Sequence, residues 1–255
     1  MFERYVALGD SQTEGLNDGD DLRGHRGWAD RLAEHIAAAE PGLHYANLAV
    51  RGRRAAEIRA GQLDAALALR PGLATVMAGV NDLIRPSCDV GAVAADIDAM
   101  LAALTASGAR VLTFTFPDVG RIAPAARVLR GRVAALNSRI AASARRHGAD
   151  LVDTAEHPVV TDPRLWSADR LHASPLGHAR IAAAAADALG LPGADGSWAE
   201  PLPPLAPAGP LRRTAAELRW AALFLGPWIA RRVRGRSSGD GCTAKRPELL
   251  PVRTG

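Results

Sequence analysis

The sequence predicts a three-layer α/β/α protein, in which five parallel strands form one sheet between two layers of helices. Short apolar runs of strand length alternate with amphipathic segments of helical length, and Gly or Pro residues separate most of them. Parallel strands joined in this way need right-handed crossovers, which cover both faces of the sheet. The predicted strands are a run that begins at Tyr5 and ends at Gly9-Asp10-Ser11, and the ranges 43–48, 73–78, 110–116 and 149–152.

The helices follow from apolar residues that recur every three or four positions and from residues that start or stop helices. In the first helix, Trp28, Leu32 and Ile36 form one apolar face. In the last helix of the domain, Ser174 and Pro175 provide the N-cap and the first-turn proline. The helices predicted in this way cover 27–39, 55–69, 90–104 before Gly108, a segment through Val133 and Ile140 that ends before Gly148, and 175–189.

The composition changes towards the C-terminus, and this change divides the chain. We expect an α/β domain over 1–192, a Pro-rich semi-rigid linker over 193–211, a basic amphipathic helix over 212–236 and a flexible tail over 237–255. Residues 212–255 contain ten Arg or Lys against three Asp or Glu, a charge of +7, so the remaining chain carries −3 of the total +4. A mildly acidic domain excludes a nucleic-acid-binding core and restricts any anionic partner to the C-terminal region.

Candidate site residues follow the predicted strands at the points where these end. Ser11 follows the first strand, Gly52 the second and Asn81 the third, while Asp169 and His172 lie between the fifth strand and the last helix. Open α/β sheets bind ligands at the carboxyl ends of their strands. Each of these residues also has a purely structural interpretation, since Gly-Asp-Ser favours turns, Gly suits a positive φ, and Asn caps strands.

The residue types favour nucleophilic chemistry over these structural interpretations. A serine hydroxyl needs a base within hydrogen-bond distance, and an imidazole is suited to accept and return the proton. His172 is the predicted base, and Asp169, three residues earlier, can accept from one ring nitrogen while the other faces Ser11. His178 is the less favoured base and is expected on the surface of the last helix. Asp10 and Asp82 are expected to accept hydrogen bonds from loop backbone.

Taken together, the four stretches around these residues resemble the sequence blocks of the SGNH hydrolases, also called GDSL-type esterases and lipases. Ser11, Gly52, Asn81 and the Asp169/His172 pair stand in the family's order over the first three quarters of the chain. The resemblance implies a flavodoxin-like strand order, 2-1-3-4-5, which would bring Ser11 and Asn81 together. It also implies an acyl-enzyme on Ser11 and an oxyanion hole formed by the backbone N–H groups of Ser11 and Gly52 and the side chain of Asn81.

The implied activity is the hydrolysis of small-molecule acyl esters, as by an esterase, lipase or lysophospholipase, without metal or organic cofactor. Thioesters or acetylated sugars are alternative substrates for the same site. A metal-dependent phosphoesterase or an inert binding module are alternatives of other classes, although Asp10 has no neighbouring histidine ligand. The segments 84–88 and 122–128 are candidate walls of an acyl pocket.

The two ends of the chain suggest where the protein acts. The first strand follows Met1 almost at once, so we expect no signal peptide and a cytoplasmic location. The basic helix predicts a peripheral contact with an anionic membrane or a contact with a second subunit, and its apolar face could equally pack on the domain.

Overall fold

The computed structural model describes residues 2–22, 24–205, 209–227, 230 and 238–252, and its centre is a six-stranded sheet. The strands run across the sheet in the order β5-β4-β3-β1-β2-β6, and β1 to β5 are parallel. The predicted order of five parallel strands is therefore confirmed, and an edge strand has been added to it. The strands are β1 (Arg4–Gly9), β2 (His44–Asn47), β3 (Leu73–Met77), β4 (Arg110–Phe114), β5 (Asp150–Val152) and β6 (Arg246–Pro251).

The helices form two groups that cover the two faces of the sheet. Helix α2 packs against α8, and α3, α5 and α7 pack in a row. None of the helices within the described ranges combines the length and the apolar character needed to cross a bilayer. The helices are α1 (Ser11–Glu14), α2 (Gly27–Ala39), α3 (Ala55–Ala68), α4 (Val80–Leu83), α5 (Val90–Ala106), α6 (Val119–Ile122), α7 (Arg130–His147), α8 (Pro175–Ala188) and α9 (Pro210–Trp220).

The core lies between the sheet and these helices and holds the bulky residues that the apolar pattern selects. Tyr5, Trp28, Tyr45 and Phe114 are all fully or almost fully buried. The rings of Trp28 and Phe114 meet edge to face with their centroids 4.8 Å apart, which joins α2 to β4. Burial of each such side chain stabilises the fold by roughly 1.5 to 3 kcal/mol, so the core fixes the strand ends from which the site is built.

The C-terminal region differs from the sequence prediction, because its last part belongs to the sheet. Strand β6 pairs antiparallel with β2, and Lys245 forms an ion pair of 2.5 Å with Asp30 on α2. The expectation of a flexible tail over 237–255 is therefore wrong for residues 246–251, while 237 and 253–255 lie outside the described residues. Proline at an edge strand is tolerated, which explains how Pro247 and Pro251 fit a strand that the sequence does not predict.

The structure also differs from the prediction in the Pro-rich linker and the basic helix. Trp198, assigned to the linker, is buried, and its indole N–H donates to Asp187 on α8 at 2.9 Å, so the domain extends beyond residue 192. Helix α9 begins at Pro210 and continues at Ala221–Leu225 as a π-helical turn. The remainder of the predicted helix, apart from 226, 227 and 230, lies outside the described residues.

Candidate active site

The ends of β1, β2 and β3 meet at one edge of the sheet, and each is followed by a turn that carries a candidate residue. After β1, Asp10 caps α1 by accepting a hydrogen bond from the Gln12 N–H at 3.2 Å, and this places Ser11 in the first turn of the helix. The turn after β2 contains Gly52 with a φ of 77°, a conformation that favours glycine. After β3, helix α4 carries Asn81, whose side-chain amide donates to Asp10 at 2.9 Å. The expected approach of the Ser11 and Asn81 segments is thus present.

Ser11, His172 and Asp169 form a continuous chain of hydrogen bonds. The Ser11 Oγ lies 2.8 Å from His172 Nε2, and His172 Nδ1 lies 2.8 Å from Asp169 Oδ2. Because an ionised carboxylate can only accept, Nδ1 carries the proton and Nε2 is free to accept from the serine hydroxyl. All three side chains are largely shielded from water, with Ser11 itself only 7% exposed.

Asp169 is held in its ionised form. Burial by itself raises the pKa of this carboxyl, but the hydrogen bond and charge of His172 and the N–H groups of His172 and Leu171 outweigh burial and lower the pKa to about 2. Asn17 also donates to Asp169, at 2.9 Å. The carboxylate is therefore charged at neutral pH and fixes the orientation of the imidazole.

Two further residues hold this arrangement together, and sequence reasoning did not identify either as part of the site. Gln12 joins the two loops, since its amide donates to the Leu171 carbonyl at 3.1 Å and its carbonyl accepts from the Ala173 N–H at 3.2 Å. Asn17 reaches Asp169 from the loop after α1. The contacts of Gln12 with Leu171 and of Asn17 with Asp169 each join residues more than 150 positions apart, so no local pattern predicts them. The one signal in the sequence was the position of Gln12 next to Ser11.

The Asn81 amide is already engaged in the structure. It donates to Asp10 and also to the Arg53 carbonyl, at 3.1 Å. Burial raises the pKa of Asp10 to about 6, partly offset by its hydrogen bonds and by the nearby His172. The predicted backbone roles of the aspartates are present, since Asp82 accepts from the Ala55 N–H at 3.0 Å as Asp10 does from Gln12.

His178 lies inside the protein, and its expected position on the helix surface is wrong. It is fully buried; its Nδ1 accepts from the Trp28 N–H at 3.2 Å, and its Nε2 donates to the Leu16 carbonyl at 3.0 Å. Burial lowers its pKa to about 4. Both ring nitrogens are used to join α8 to α2 and to the loop after α1, so this histidine has a structural role.

The buried His178 predicts a specific loss of stability in acid. An unfolded histidine binds a proton below a pKa of about 6.5, whereas His178 in the fold binds it only below about 4. The stabilisation is therefore complete above about pH 6.5 and is lost as the pH falls towards 4, by roughly 2 to 3 kcal/mol at about pH 4.5. We expect urea unfolding at neutral pH and at about pH 4.5 to show this additional loss in the wild type but not in His178→Asn.

The other titrating groups do not obscure this comparison. Asp10 and Asp30 have pKa values raised to about 6 by burial, and they change stability in the opposite direction between about pH 4 and 6. The wild type and His178→Asn both contain these two carboxyls, so their contribution cancels when the acid sensitivities of the two proteins are compared. Equal acid sensitivity of the wild type and His178→Asn would contradict the prediction.

A large apolar cavity opens beside Ser11 and His172. Its volume is about 760 Å³, and its walls are mainly aliphatic and aromatic. Ile84 and most of 122–128 line it, as expected for the candidate walls, whereas 85–88 do not. The C-terminal segment also contributes to the wall, through Trp220, Phe224 and Leu225. Within the described part of the chain, no three His, Cys, Asp or Glu side chains are grouped so that they could hold a metal ion.

The contact between serine, histidine and aspartate at the carboxyl ends of parallel strands is the arrangement found in serine hydrolases. The sequence matches the GDSL-like Lipase/Acylhydrolase family over residues 7–180. The chain belongs to this family, and it is a hydrolase that acts on ester bonds. A search among curated proteins returned no match.

Similar solved structures support the fold. The LAE5 α/β hydrolase from the metagenome of Lake Arreo, Spain, has a TM-score of 0.62 and 23% identity over 74% of this chain and 95% of its own. An Axe2 mutant, an acetyl-xylooligosaccharide esterase from Geobacillus, has a TM-score of 0.63 and 17% identity over 76% and 96%. The psychrotrophic esterase EstA from Pseudoalteromonas sp., inhibited by monoethylphosphonate, has a TM-score of 0.58 and 18% identity over 74% and 97%.

Proposed function

We propose that the protein hydrolyses carboxylic esters through an acyl-enzyme on Ser11. The observation that carries this proposal is the chain of hydrogen bonds from Ser11 through His172 to the ionised Asp169. Ser11 Oγ attacks the ester carbonyl while His172 Nε2 takes its proton, and the proton then passes to the departing alcohol as the acyl C–O bond breaks. Water, activated by the same nitrogen, attacks the acyl group and restores the serine. Asp169 stabilises the imidazolium that forms in each half of the reaction.

The negative charge on the carbonyl oxygen needs donors that are already in position. Ser11 is the first residue of α1, and N–H groups in the first helical turn have no acceptor within the helix. The Gly52 N–H, in the turn after β2, and the Asn81 amide are the other proposed donors. Because the Asn81 amide contacts Asp10 and Arg53, it must share or exchange one of these partners when the oxyanion forms.

Asn81→Ala tests this role. We expect kcat to fall by about 100-fold or more with little change in KM, because a bond to the oxyanion strengthens only in the transition state. The measurement is steady-state ester hydrolysis, with thermal unfolding to verify the fold. Asp82→Asn is the matched control: it alters the neighbouring residue, whose contact is to the Ala55 backbone, and it should retain most of the turnover. Unchanged kcat in a folded Asn81→Ala protein would exclude the oxyanion role.

The cavity favours an acyl group larger than acetyl. A volume of about 760 Å³ lies within the range that takes drug-sized ligands, and an acetyl group would leave most of the apolar wall without contact. We therefore propose aliphatic or other bulky apolar acyl esters as substrates. Thioesters with the same acyl group remain alternatives, since they need the same site. An acetylated sugar, as for the Axe2 esterase, is the less favoured alternative because its acyl group is small.

A panel of esters with one leaving group and acyl chains from acetate to palmitate tests the substrate class. We expect kcat/KM to rise from acetate to chains of intermediate length, because each added methylene that is buried contributes about 0.8 kcal/mol. Matched thioesters and acetylated xylooligosaccharides are measured alongside, with Ser11→Ala as the blank. A maximum at acetate, or activity restricted to acetylated sugars, would contradict the proposed acyl preference.

We further propose that the outer face of α9 contacts an anionic lipid surface. Leu211 and Leu218 are 86% and 68% exposed and lie seven residues apart, so they share one side of the helix. Arg212 and Arg219 repeat at the same spacing beside them and are also exposed. Apolar side chains flanked by arginines are typical of helices that lie on anionic membranes.

Co-sedimentation with vesicles tests this contact. The full chain is expected to bind vesicles that contain phosphatidylserine at low salt and to be released at about 1 M salt, where charges are screened within about 3 Å. Arg212→Glu/Arg219→Glu should abolish binding, while Arg59→Glu, which changes an exposed arginine on α3, should not. Point variants are preferred to truncation near Pro210, which would also remove β6. Absence of binding, or a concentration-dependent dimer lost in Leu218→Ser, would contradict the lipid contact and favour a subunit interface.

A further inference from the structure

The segment Trp220–Leu225 lies outside the region matched by the family, yet it contributes to the cavity beside Ser11. The family match ends at residue 180, and the similar structures cover about three quarters of this chain. Resting on the proposed acyl hydrolysis, we propose that this segment forms part of the acyl-binding wall and sets the preference for long acyl groups. The selectivity of the enzyme would then depend on residues outside the part of the chain that the family model matches.

The segment contacts the loop that carries Asp169 and His172. The Trp220 indole N–H donates to the carbonyl of Asp169 at 2.9 Å. Arg170, the next residue, places its guanidinium 5.0 Å from the centre of the Trp220 ring and pairs with Glu217 at 2.7 Å. The segment is therefore seated on the 169–172 loop, directly beside the reacting groups.

The ion pair and the Trp220 contacts hold the segment on the loop with different strengths. Glu217 is about half exposed, and an ion pair of this kind contributes at most about 1 kcal/mol. The Trp220 ring combines a hydrogen bond, a stacked cation and apolar burial, which together exceed that value. Arg170 has a φ of 57°, an uncommon conformation for a residue other than glycine, so the turn presents its side chain to α9 in a defined direction. Trp220 is the main anchor.

The part of the cavity wall that the segment supplies is apolar. After α9 the chain widens into the π-helical turn Ala221–Leu225, a form often found at functional sites. Phe224 and Leu225 are partly buried and line the cavity. Their apolar surface completes a wall otherwise built from domain residues such as Val133, Val160 and Leu165. A long acyl chain attached to Ser11 would extend along the cavity to this apolar surface, whereas an acetyl group would be too short to reach it.

The test compares long and short esters in Phe224→Ala. We expect kcat/KM for a decanoate ester to fall by about tenfold, through KM, because the lost ring contact corresponds to about two methylenes of burial. The acetate ester with the same leaving group should change by less than about twofold. Leu205→Ala is the matched control, since it also removes a large apolar side chain from the C-terminal region but does not line the cavity. It should leave both rates unchanged.

The outcomes separate this inference from the proposed function. If Phe224→Ala left the ratio of kcat/KM for the decanoate ester to that for the acetate ester as it is in the wild type, the role of the segment in acyl selection would be overturned. A phosphonate that labels Ser11 equally in the wild type, Phe224→Ala and Leu205→Ala keeps the serine mechanism valid in either case. Wild-type protein that takes no label would instead contradict the proposed function itself. Trp220→Phe, which replaces the indole by a smaller ring and loses the donor to Asp169, should lower the ratio of decanoate to acetate kcat/KM in the same direction, because Trp220 anchors the segment and itself lines the cavity.

Discussion

Replacing Ser11 with alanine is expected to lower kcat for ester hydrolysis by about a millionfold. Without the hydroxyl no acyl-enzyme forms, and the histidine and the oxyanion donors can only assist direct attack by water. Ser11 is buried and its Oγ contacts His172, so alanine removes one oxygen atom and should leave the fold intact. The measurement is steady-state hydrolysis of a chromogenic ester, with the unfolding temperature as the check on the fold.

Covalent labelling gives this prediction a second, independent measurement. An organophosphonate ester should add one adduct to the wild-type protein, and mass spectrometry should locate it on the peptide that contains Ser11. Ser107→Ala is the control, because it removes a serine hydroxyl that lies away from the site and donates to the Leu104 carbonyl at the end of α5. An adduct on another residue, or undiminished turnover in a folded Ser11→Ala protein, would contradict the mechanism. If a chelator abolished the activity and added metal restored it, the metal-dependent phosphoesterase would be favoured instead.

The parts of the fold that the sequence predicts well are those determined by neighbouring residues. The strand β1 and the turn with Ser11 follow from an apolar run and a capping aspartate, both of which act within a few residues. The pairing of Asp169 with His172 is equally local, since three residues of a turn join them. The meeting of Ser11 with His172 depended on the family resemblance, because no local rule joins residues that are 161 positions apart.

The features that the sequence did not predict depend on contacts between distant segments. Strand β6 contains two prolines and half-exposed leucines, so its own sequence resembles a loop, and only its pairing with β2 makes it a strand. His178 stands at a helical position that periodicity alone leaves ambiguous, and the Trp28 N–H at the start of α2 accounts for its burial. Trp220 lies within the predicted amphipathic helix over 212–236, but its partner Asp169 could be identified only from the structure.

Replacing His172 with alanine is expected to lower kcat by about a millionfold, close to the effect of losing the serine, because the two act as one unit. Asp169→Asn should be less severe, about 10⁴-fold, since the amide offers a donor to Nδ1 and favours the wrong tautomer while the ring remains in place. The Ser11→Ala/His172→Ala double variant should be no worse than either single one. These values are to be measured as kcat at saturating ester for each variant.

Two histidine controls decide whether His172 is the base. His35→Ala changes an exposed histidine on α2 and should leave kcat unchanged. His178→Asn removes the buried histidine that joins α8 to α2, so it should lower stability in urea while the folded fraction keeps most of its turnover. If folded His178→Asn lost turnover as severely as His172→Ala, or if His172→Ala retained it, the assignment of the base would be wrong. A non-additive loss shared by Ser11, His172 and Asp169 would be the kinetic signature of the three acting together, because each depends on the hydrogen bond made by the next.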